Sequence, residues 1–126
     1  MPSWLMRIFG RKTRWAKVKI ALGVECVGDC DREMMLKALR AVLRRRGVKH
    51  EYLEDRGIVV VRICGGVAII VAKHVETVSD KSYWSAERRY LVAPVIIIAP
   101  ENEFSKVINE LGKIRMETEK ELRWKT

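Results

Sequence analysis

Glutamine is absent from this 126-residue chain, and asparagine occurs only at positions 102 and 109. Charged residues, by contrast, make up 33% of the sequence. Few thermolabile amides and many ion-pairing groups are typical of proteins that work at high temperature. We therefore expect a thermostable protein.

The sequence also lacks the run of about eighteen apolar residues that a membrane-spanning helix requires. Its longest apolar stretches, 67–72 and 91–99, have the length and the β-branched content of buried strands. The basic N-terminal segment has neither the continuous apolar core nor the cleavage site of a secretory signal. We expect no membrane span and a cytoplasmic protein.

Cysteine is scarce, and its three positions leave more than one interpretation open. Cys26 and Cys30 can pair only if the chain turns sharply between them. The same spacing is half of a zinc site, which Cys64, His50 or His74 would have to complete. Zinc ligands usually come as two close pairs, and the second pair is missing. We therefore expect buried, unreactive thiols, no metal site and no cofactor.

Positive charge dominates the chain, with a formal net charge of +9. The first nineteen residues contain six bases and no acid, whereas residues 101–126 contain six acids and six bases. The positive field therefore belongs to the N-terminal half. This asymmetry favours an anionic partner, either nucleic acid or an anionic membrane surface.

The first half of the sequence predicts a strand followed by a helix. Residues 17–26 alternate between apolar and polar side chains, which is typical of a half-buried strand. An N-cap in GDCD opens a helix over 31–46, and Gly47 ends it. The apolar stripe of this helix is expected to enter the core through Met35, Leu36, Leu39, Val42 and Leu43.

Three strands and a turn are predicted next. Residues 48–55 form an exposed or edge strand, and residues 58–64 form a buried one. The pair Gly65-Gly66 signals a hairpin that leads into VAIIVAKHV, residues 67–75. These segments predict a three-stranded meander.

The remaining chain predicts a short helix, a strand and a long helix. Residues 77–91 can form a helix capped by Ser79, and residues 93–100 form a buried strand that ends at Pro100. The final helix is capped by Asn102 and is expected to outrun the core. Its last turns lie either along a partner chain or in solvent, so a homodimer through this helix or through a sheet edge is one possible assembly.

The order of elements between 31 and 99 resembles the core of the restriction-endonuclease-like nuclease superfamily, especially its archaeal Holliday-junction resolvase branch. The resemblance implies an α/β (α+β) fold in one domain: a single mixed sheet flanked by helices, with an αβββαβ core, an extra N-terminal strand and a C-terminal helix. In this division, residues 1–15 are a basic arm, 16–100 the core and 101–126 the final helix. If 48–55 is only a loop, the order becomes βαββαβ, the ferredoxin-like plan.

The same resemblance assigns the places of the nuclease site to Glu33, Asp55 and Lys73. In that superfamily, acids hold a divalent metal and the lysine stabilises charge. An acid is expected two residues before Lys73, but Val71 stands there and offers no oxygen ligand. The resemblance therefore implies a degenerate site. The alternative roles are a lysine stem that covers apolar surface and, for Glu33, complementarity to the helix dipole.

Basic residues on the first helix form a candidate binding surface. Lys37, Arg40 and Arg44 fall within about 60° of one another on the side away from the apolar stripe. Such spacing suits contacts with successive phosphates, and the alternative is a solvated surface that compensates the helix dipole. The complete predicted set comprises Lys37, Arg40, Arg44, Arg45 and Arg46 on the helix, with Arg11, Lys12 and Arg14 in the N-terminal arm.

Small size, abundant arginine and valine, and missing glutamine together resemble small proteins encoded by viruses of hyperthermophilic archaea, which implies host cytoplasm or virion as the location. We predict a non-catalytic protein that binds DNA or RNA through the basic helix. The alternatives are a structural or interaction module, such as a dimer or virion component, and a weak metal-dependent nuclease.

Overall fold

The computed structural model describes residues 14–80 and 87–125, which form one six-stranded sheet with two helices on one of its faces. The α+β class, the single sheet flanked by helices, the N-terminal strand and the C-terminal helix are all confirmed. The elements, in chain order, are β1 (Trp15–Cys26), α1 (Arg32–Arg45), β2 (His50–Leu53), β3 (Ile58–Ile63), β4 (Gly66–Ile70), a 3-10 turn (Ala72–His74), β5 (Glu76–Asp80), β6 (Arg88–Pro100), a second 3-10 turn (Glu101–Glu103) and α2 (Phe104–Lys125).

Local signals position α1 as the sequence predicts. The side chain of Asp31 accepts a hydrogen bond from the Met34 N–H at 2.9 Å, which satisfies one of the free amides of the first turn. Gly47, with φ of 67°, lies just beyond the helix end. All five residues of the predicted apolar stripe are buried. Because this stripe faces the sheet, the basic side of the helix faces outward.

All strand pairs among the described residues are antiparallel, in the order β1-β6-β4-β3-β2. Strand β5 pairs with β6 beyond the end of β4, so β4 and β5 run along the same side of β6 with the 3-10 turn between them. Pro94 lies in β6 opposite this interruption, and its carbonyl accepts a hydrogen bond from the Val71 N–H at 2.9 Å. Proline is tolerated here because the regular ladder is already broken.

The expected αβββαβ core is wrong in one element. Residues 76–80 and 88–91 are strands, not parts of a helix over 77–91; positions 81–86 of that expected helix lie outside the described residues. In a helix Tyr90 and Leu91 would share a face, but Leu91 is buried whereas Tyr90 is half-buried, as alternation in β6 requires. The sheet is therefore antiparallel and not mixed. Because β2 forms at 50–53, the ferredoxin-like alternative with a loop there is also wrong.

The β3–β4 hairpin turns one residue earlier than the Gly-Gly pair suggests. Ile63 pairs with Gly66, so the two turn residues are Cys64 and Gly65, with φ of 49° and 76°. This is the conformation of a two-residue turn with both central residues left-handed. Gly66 has a different requirement: a Cβ at this position would lie 2.6 Å from the Cβ of Ala99 on β6.

The expectation of three buried thiols is wrong. Cys26 and Cys30 form a disulfide across the β1–α1 connection, and Cys64 is free and exposed. Gly28, with φ of 83°, provides the sharp turn that brings the two cysteines together. The disulfide ties the end of β1 to the start of α1.

The C-terminal helix differs in its start and in its apolar face. Asn102 lies inside the second 3-10 turn and does not cap α2. The core extends to Leu122, which is only 2% exposed, so the helix does not outrun the core as expected. Ile108 is 39% exposed and Trp124 87% exposed, and both lie outside the core. The buried stripe is instead Val107, Leu111, Ile114, Thr118 and Leu122.

No described helix combines the length and the apolar character needed to cross a membrane.

Candidate nucleic-acid interface

A groove runs between the outward side of α1 and the edge strand β2, and we call it the α1–β2 groove. It consists of two adjoining cavities of about 460 and 180 Å³ that share Leu36, Tyr52 and Glu54. One wall is α1, and the other is β2 with the turn that follows it. The charged side chains that line the groove are Arg32, Glu33, Lys37, Arg40, Arg44, Glu54, Asp55, Arg56 and Lys73.

Cations outnumber carboxylates in this groove by six to three. Within the described parts of the chain, none of the six forms an ion pair. A concave surface with an excess of one charge concentrates its field and attracts the opposite charge from solution. The groove is therefore an anion-attracting surface whose donors are available to a ligand.

Arg40 is the best-positioned cation of the groove. Its guanidinium carbon lies 5.2 Å from the centre of the Tyr52 ring, which brings the side chain across from α1 to β2. Its Nε atom is buried and has no hydrogen-bond partner among residues 14–80 and 87–125. The tyrosine ring thus holds the planar guanidinium at the centre of the groove, where its other N–H groups can contact an anionic oxygen.

Arg45 and Arg46 do not belong to this surface. Arg46 donates hydrogen bonds to the carboxylates of Glu110 and Glu117 on α2, and these bonds, the one to Glu110 first, raise the pKa of the Arg46 guanidinium. Arg45 pairs with Glu121 at 3.3 Å. Each residue turns the helix by about 100°, so these two side chains face α2 while Arg44 faces the groove. Both side chains hold the two helices together, and their predicted contact with nucleic acid stays a prediction.

The three residues expected from the nuclease resemblance lie along the groove. Asp55 and Lys73 line the smaller cavity, and Glu33 lines the larger one. Lys73 lies on the 3-10 turn and not on a strand, and its N–H donates to the Gly57 carbonyl at 2.9 Å. In the described part of the chain, no three or more His, Cys, Asp or Glu side chains are grouped so that they could hold a metal ion.

The interpretation of Lys73 as a residue whose stem covers surface has structural support. A Cβ added to Gly57 would lie 2.6 Å from the Cβ of Lys73, so the lysine stem packs directly on this glycine. Gly57, with φ of 63°, ends the turn after β2. The contact fixes the 3-10 turn against the β2–β3 turn, and the exposed Lys73 ammonium joins the cations at this end of the groove.

Of the predicted basic residues in the N-terminal arm, only Arg14 lies within the described part of the chain, and it does not line the groove. Arg11 and Lys12 lie outside the described residues. Arg14 immediately precedes β1, at the opposite edge of the sheet from β2. Four strand spacings of about 4.8 Å separate these edges, so Arg14 lies about 19 Å or more from the groove.

Among the groove residues that sequence reasoning missed are Arg32, Tyr52, Glu54 and Arg56. Arg56 belongs to the DRG turn, and a basic residue in a turn beside a predicted edge strand is a usable signal. Arg32 and Tyr52 give no comparable signal, because their roles depend on how α1 packs against β2.

Compared with protein-family models, curated proteins and solved structures, the chain gives no significant match. The groove and its charges are therefore the basis on which its function is inferred.

Proposed function

We propose that this protein binds nucleic acid, DNA or RNA, without cleaving it, and that phosphates enter the α1–β2 groove. The observation that carries the proposal is the division of charge on α1. Arg45 and Arg46 are paired with carboxylates of α2, whereas Lys37, Arg40 and Arg44 line the groove without an ion-pair partner among the described residues. Cations left unpaired in a concave surface suit a polyanion.

The spacing of these three cations fits a nucleic-acid backbone. They lie at successive turns on one side of α1, and the helix rises 1.5 Å per residue, so the set spans about 10 Å along the axis. Cations at this spacing suit contacts with successive phosphates of one strand. Arg40, held by Tyr52, presents a planar guanidinium that can bind a phosphate through two N–H groups. Contacts of this kind position a strand and carry no sequence preference.

The proposal predicts how strongly the binding affinity depends on salt concentration. If three cations each neutralise one phosphate, the logarithm of the binding constant falls with a slope of about −2.7 against the logarithm of salt concentration. Affinity then decreases by about 40-fold between 50 and 200 mM salt.

The test is a fluorescence titration of labelled duplex, single-stranded and four-way-junction DNA and of single-stranded RNA at several salt concentrations. The same mixtures are incubated with magnesium or manganese and run on a gel. We expect salt-dependent binding, no cleavage, and at least a tenfold loss of affinity in the variant Arg40→Gln/Arg44→Gln.

The matched control is Lys113→Gln/Lys120→Gln, which removes the same charge from exposed positions of α2. An equal loss of affinity in this control would show that net charge, and not the groove, causes binding. Absence of binding to every probe at low salt would overturn the proposal. Cleavage that is lost in Asp55→Asn or Lys73→Met would replace it with a nuclease.

A second candidate function is assembly, as a structural or interaction protein. The observation that favours it is the edge strand β1, which is twelve residues long and which, within residues 14–80 and 87–125, pairs only with β6. Long unpaired edges are templates for pairing with another chain.

A further inference from the structure

The outer side of β1 carries a row of backbone groups that point away from β6, and most of them have no partner among the described residues. In an antiparallel ladder, the N–H and C=O of one residue point to the same side, and the side alternates along the strand. The carbonyl of Pro94 points towards Val71, so Ala21, which is opposite Pro94 in β1, points away from β6. The N–H of Glu25, two pairs further along the same row, is bound by Glu119 of α2 at 2.9 Å from outside the sheet.

The remaining members of this row are Trp15, Lys17, Lys19, Ala21 and Gly23. Within the described residues, no hydrogen bond reaches their outward N–H and C=O groups. The N-terminal half of β1 is also incompletely covered by the core. Val18 points to the helix-covered face of the sheet but is 40% exposed, whereas Leu22 and Val24 on that face are buried.

Nothing in the described part of the chain requires glycine at position 112, in the middle of α2. An added Cβ would meet no described atom within 4 Å, and φ is not positive. Glycine in a helix interior is less stable than alanine by about 1 kcal/mol. Two exposed apolar residues, Ile108 and Met116, lie one turn before and one turn after it. Small residues flanked by apolar ones allow another helix to approach closely.

The outer edge of β1 and Gly112 of α2 lie side by side. The 3-10 turn that leads into α2 meets the start of β1, where the Glu101 N–H donates to the Arg14 carbonyl at 2.8 Å. Glu119 of α2 accepts from the N–H of Glu25 near the other end of β1, so α2 runs alongside this strand. The middle of β1, near Ile20, therefore lies beside the middle of α2, near Gly112.

We propose that two copies of the chain pair through β1, antiparallel about a two-fold axis at Ile20, and that their α2 helices cross at Gly112. Lys17 and Lys19 then lie opposite Gly23 and Ala21 of the second copy, and eight backbone hydrogen bonds form. Val18 comes to lie beside Leu22 of the second copy, which completes the core at the edge.

Charge disfavours a shift of this register towards the N-terminus. Shifting the axis by one residue towards the N-terminus would place Lys19 directly against Lys19 of the second copy, which is unfavourable. In the proposed register, Lys17 has Glu25 of the second copy as its diagonal neighbour, within reach of a long side chain. Glu119 can keep its contact with the Glu25 N–H at the end of the paired run.

The close spacing of two paired β1 strands explains why position 112 is glycine. Strands that pair lie about 4.8 Å apart, whereas helices with ordinary side chains pack at about 8–10 Å. Of the strands, β1 is the one that α2 mainly contacts, so pairing of the β1 strands brings the two α2 helices into close approach. A side chain at position 112 would hold them apart. Both β1 edges are consumed in the dimer, so the assembly closes at two copies.

The test measures the molecular mass of the full chain by sedimentation and light scattering between 1 and 200 μM. Hydrogen exchange is measured over the same range of concentrations. We expect a mass of twice 14.6 kDa. Ala21→Pro removes only an outward N–H, and Gly112→Leu blocks the helix crossing; each should weaken association at least tenfold. Lys113→Leu, a neighbouring exposed position, should leave it unchanged. Melting temperatures at low concentration verify that each variant is folded.

A monomer at every concentration would overturn the proposal, as would dimers that survive both Ala21→Pro and Gly112→Leu. Hydrogen exchange locates the contact independently. Amides of Lys19 and Ala21 should become protected as concentration rises, and protection confined to β2 or to the outer face of the sheet would also overturn it. Nucleic-acid binding by Ala21→Pro at the groove is expected to persist, so failure of the dimer and failure of the binding function are separate results.

Discussion

Gly66→Ala is expected to be among the most destabilising methyl additions in this protein. The new Cβ would lie 2.6 Å from the Cβ of Ala99, 3.1 Å from the Ile98 carbonyl oxygen and 3.2 Å from Val107 Cγ2. Two of these neighbours belong to β6 and one to α2, so relief requires the sheet and the helix to separate. Gly66 has no positive φ, so the cost is one of packing alone.

Overpacking of this kind costs about 2–3 kcal/mol. With an unfolding entropy of about 2.1 cal/mol/K per residue, that loss lowers the melting temperature of this chain by about 10 °C. Differential scanning calorimetry and urea unfolding of the variant measure it. Gly65→Ala is the control at the neighbouring turn position, where only the left-handed backbone opposes a side chain, at about 1 kcal/mol.

The double variant Gly66→Ala/Ala99→Gly tests whether the contact with Ala99 causes the loss of stability. It moves the methyl group from one strand to the other, so the closest contact disappears. Ala99→Gly alone costs about 1–2 kcal/mol through lost burial and added chain entropy. We expect the double variant to be more stable than the sum of the two single losses by at least about 1 kcal/mol. Strict additivity would refute the reasoning and would indicate that Gly66 is required for another reason.

Three further predictions concern the turn, the helix pair and the disulfide. Cys64→Asn should raise the melting temperature by about 2–4 °C in calorimetry, because asparagine tolerates the positive φ of this exposed position better than cysteine does; a lower value would contradict this. Arg46→Met removes the bonds to Glu110 and Glu117 and should cost about 1–2 kcal/mol in urea unfolding. Arg45→Met, at a more exposed position, should cost less than about 0.5 kcal/mol. Reduction of the Cys26–Cys30 disulfide should lower the free energy of unfolding by about 2 kcal/mol, the loop-closure value for so short a loop; an unchanged melting curve in reductant would argue against it.

The parts of the fold that the sequence predicts are those with strong local signals. The apolar periodicity of α1, its Asp31 cap and the alternation in β1 act within a few residues, and each appears as expected. The helix expected over 77–91 failed because Tyr90 and Leu91 satisfy a helical stripe and a strand alternation equally well. Long-range pairing with β1 and β5 decided the outcome, and nothing local encodes it.

The groove was predictable on its α1 side and not on its β2 side. Helical phase placed Lys37, Arg40 and Arg44 together from the sequence alone. Tyr52 enters only through tertiary packing, since its ring meets Arg40 across two elements. The turn position at Cys64 was missed for a similar reason: Gly66 is glycine because β6 lies close to it, and that approach cannot be read from the hairpin sequence.

The charges of α1 show why net charge alone is a poor guide to function in this protein. Arg44, Arg45 and Arg46 are consecutive and chemically identical, yet a rotation of about 100° per residue sends them to different surroundings. Two meet the glutamates of α2 and stabilise the helix pair, an arrangement that suits a protein rich in charge and poor in amides. Removal of their charge would therefore lower stability before it lowered affinity. Arg44 faces the groove without an ion-pair partner in the described chain, and there the same charge is free to meet a phosphate.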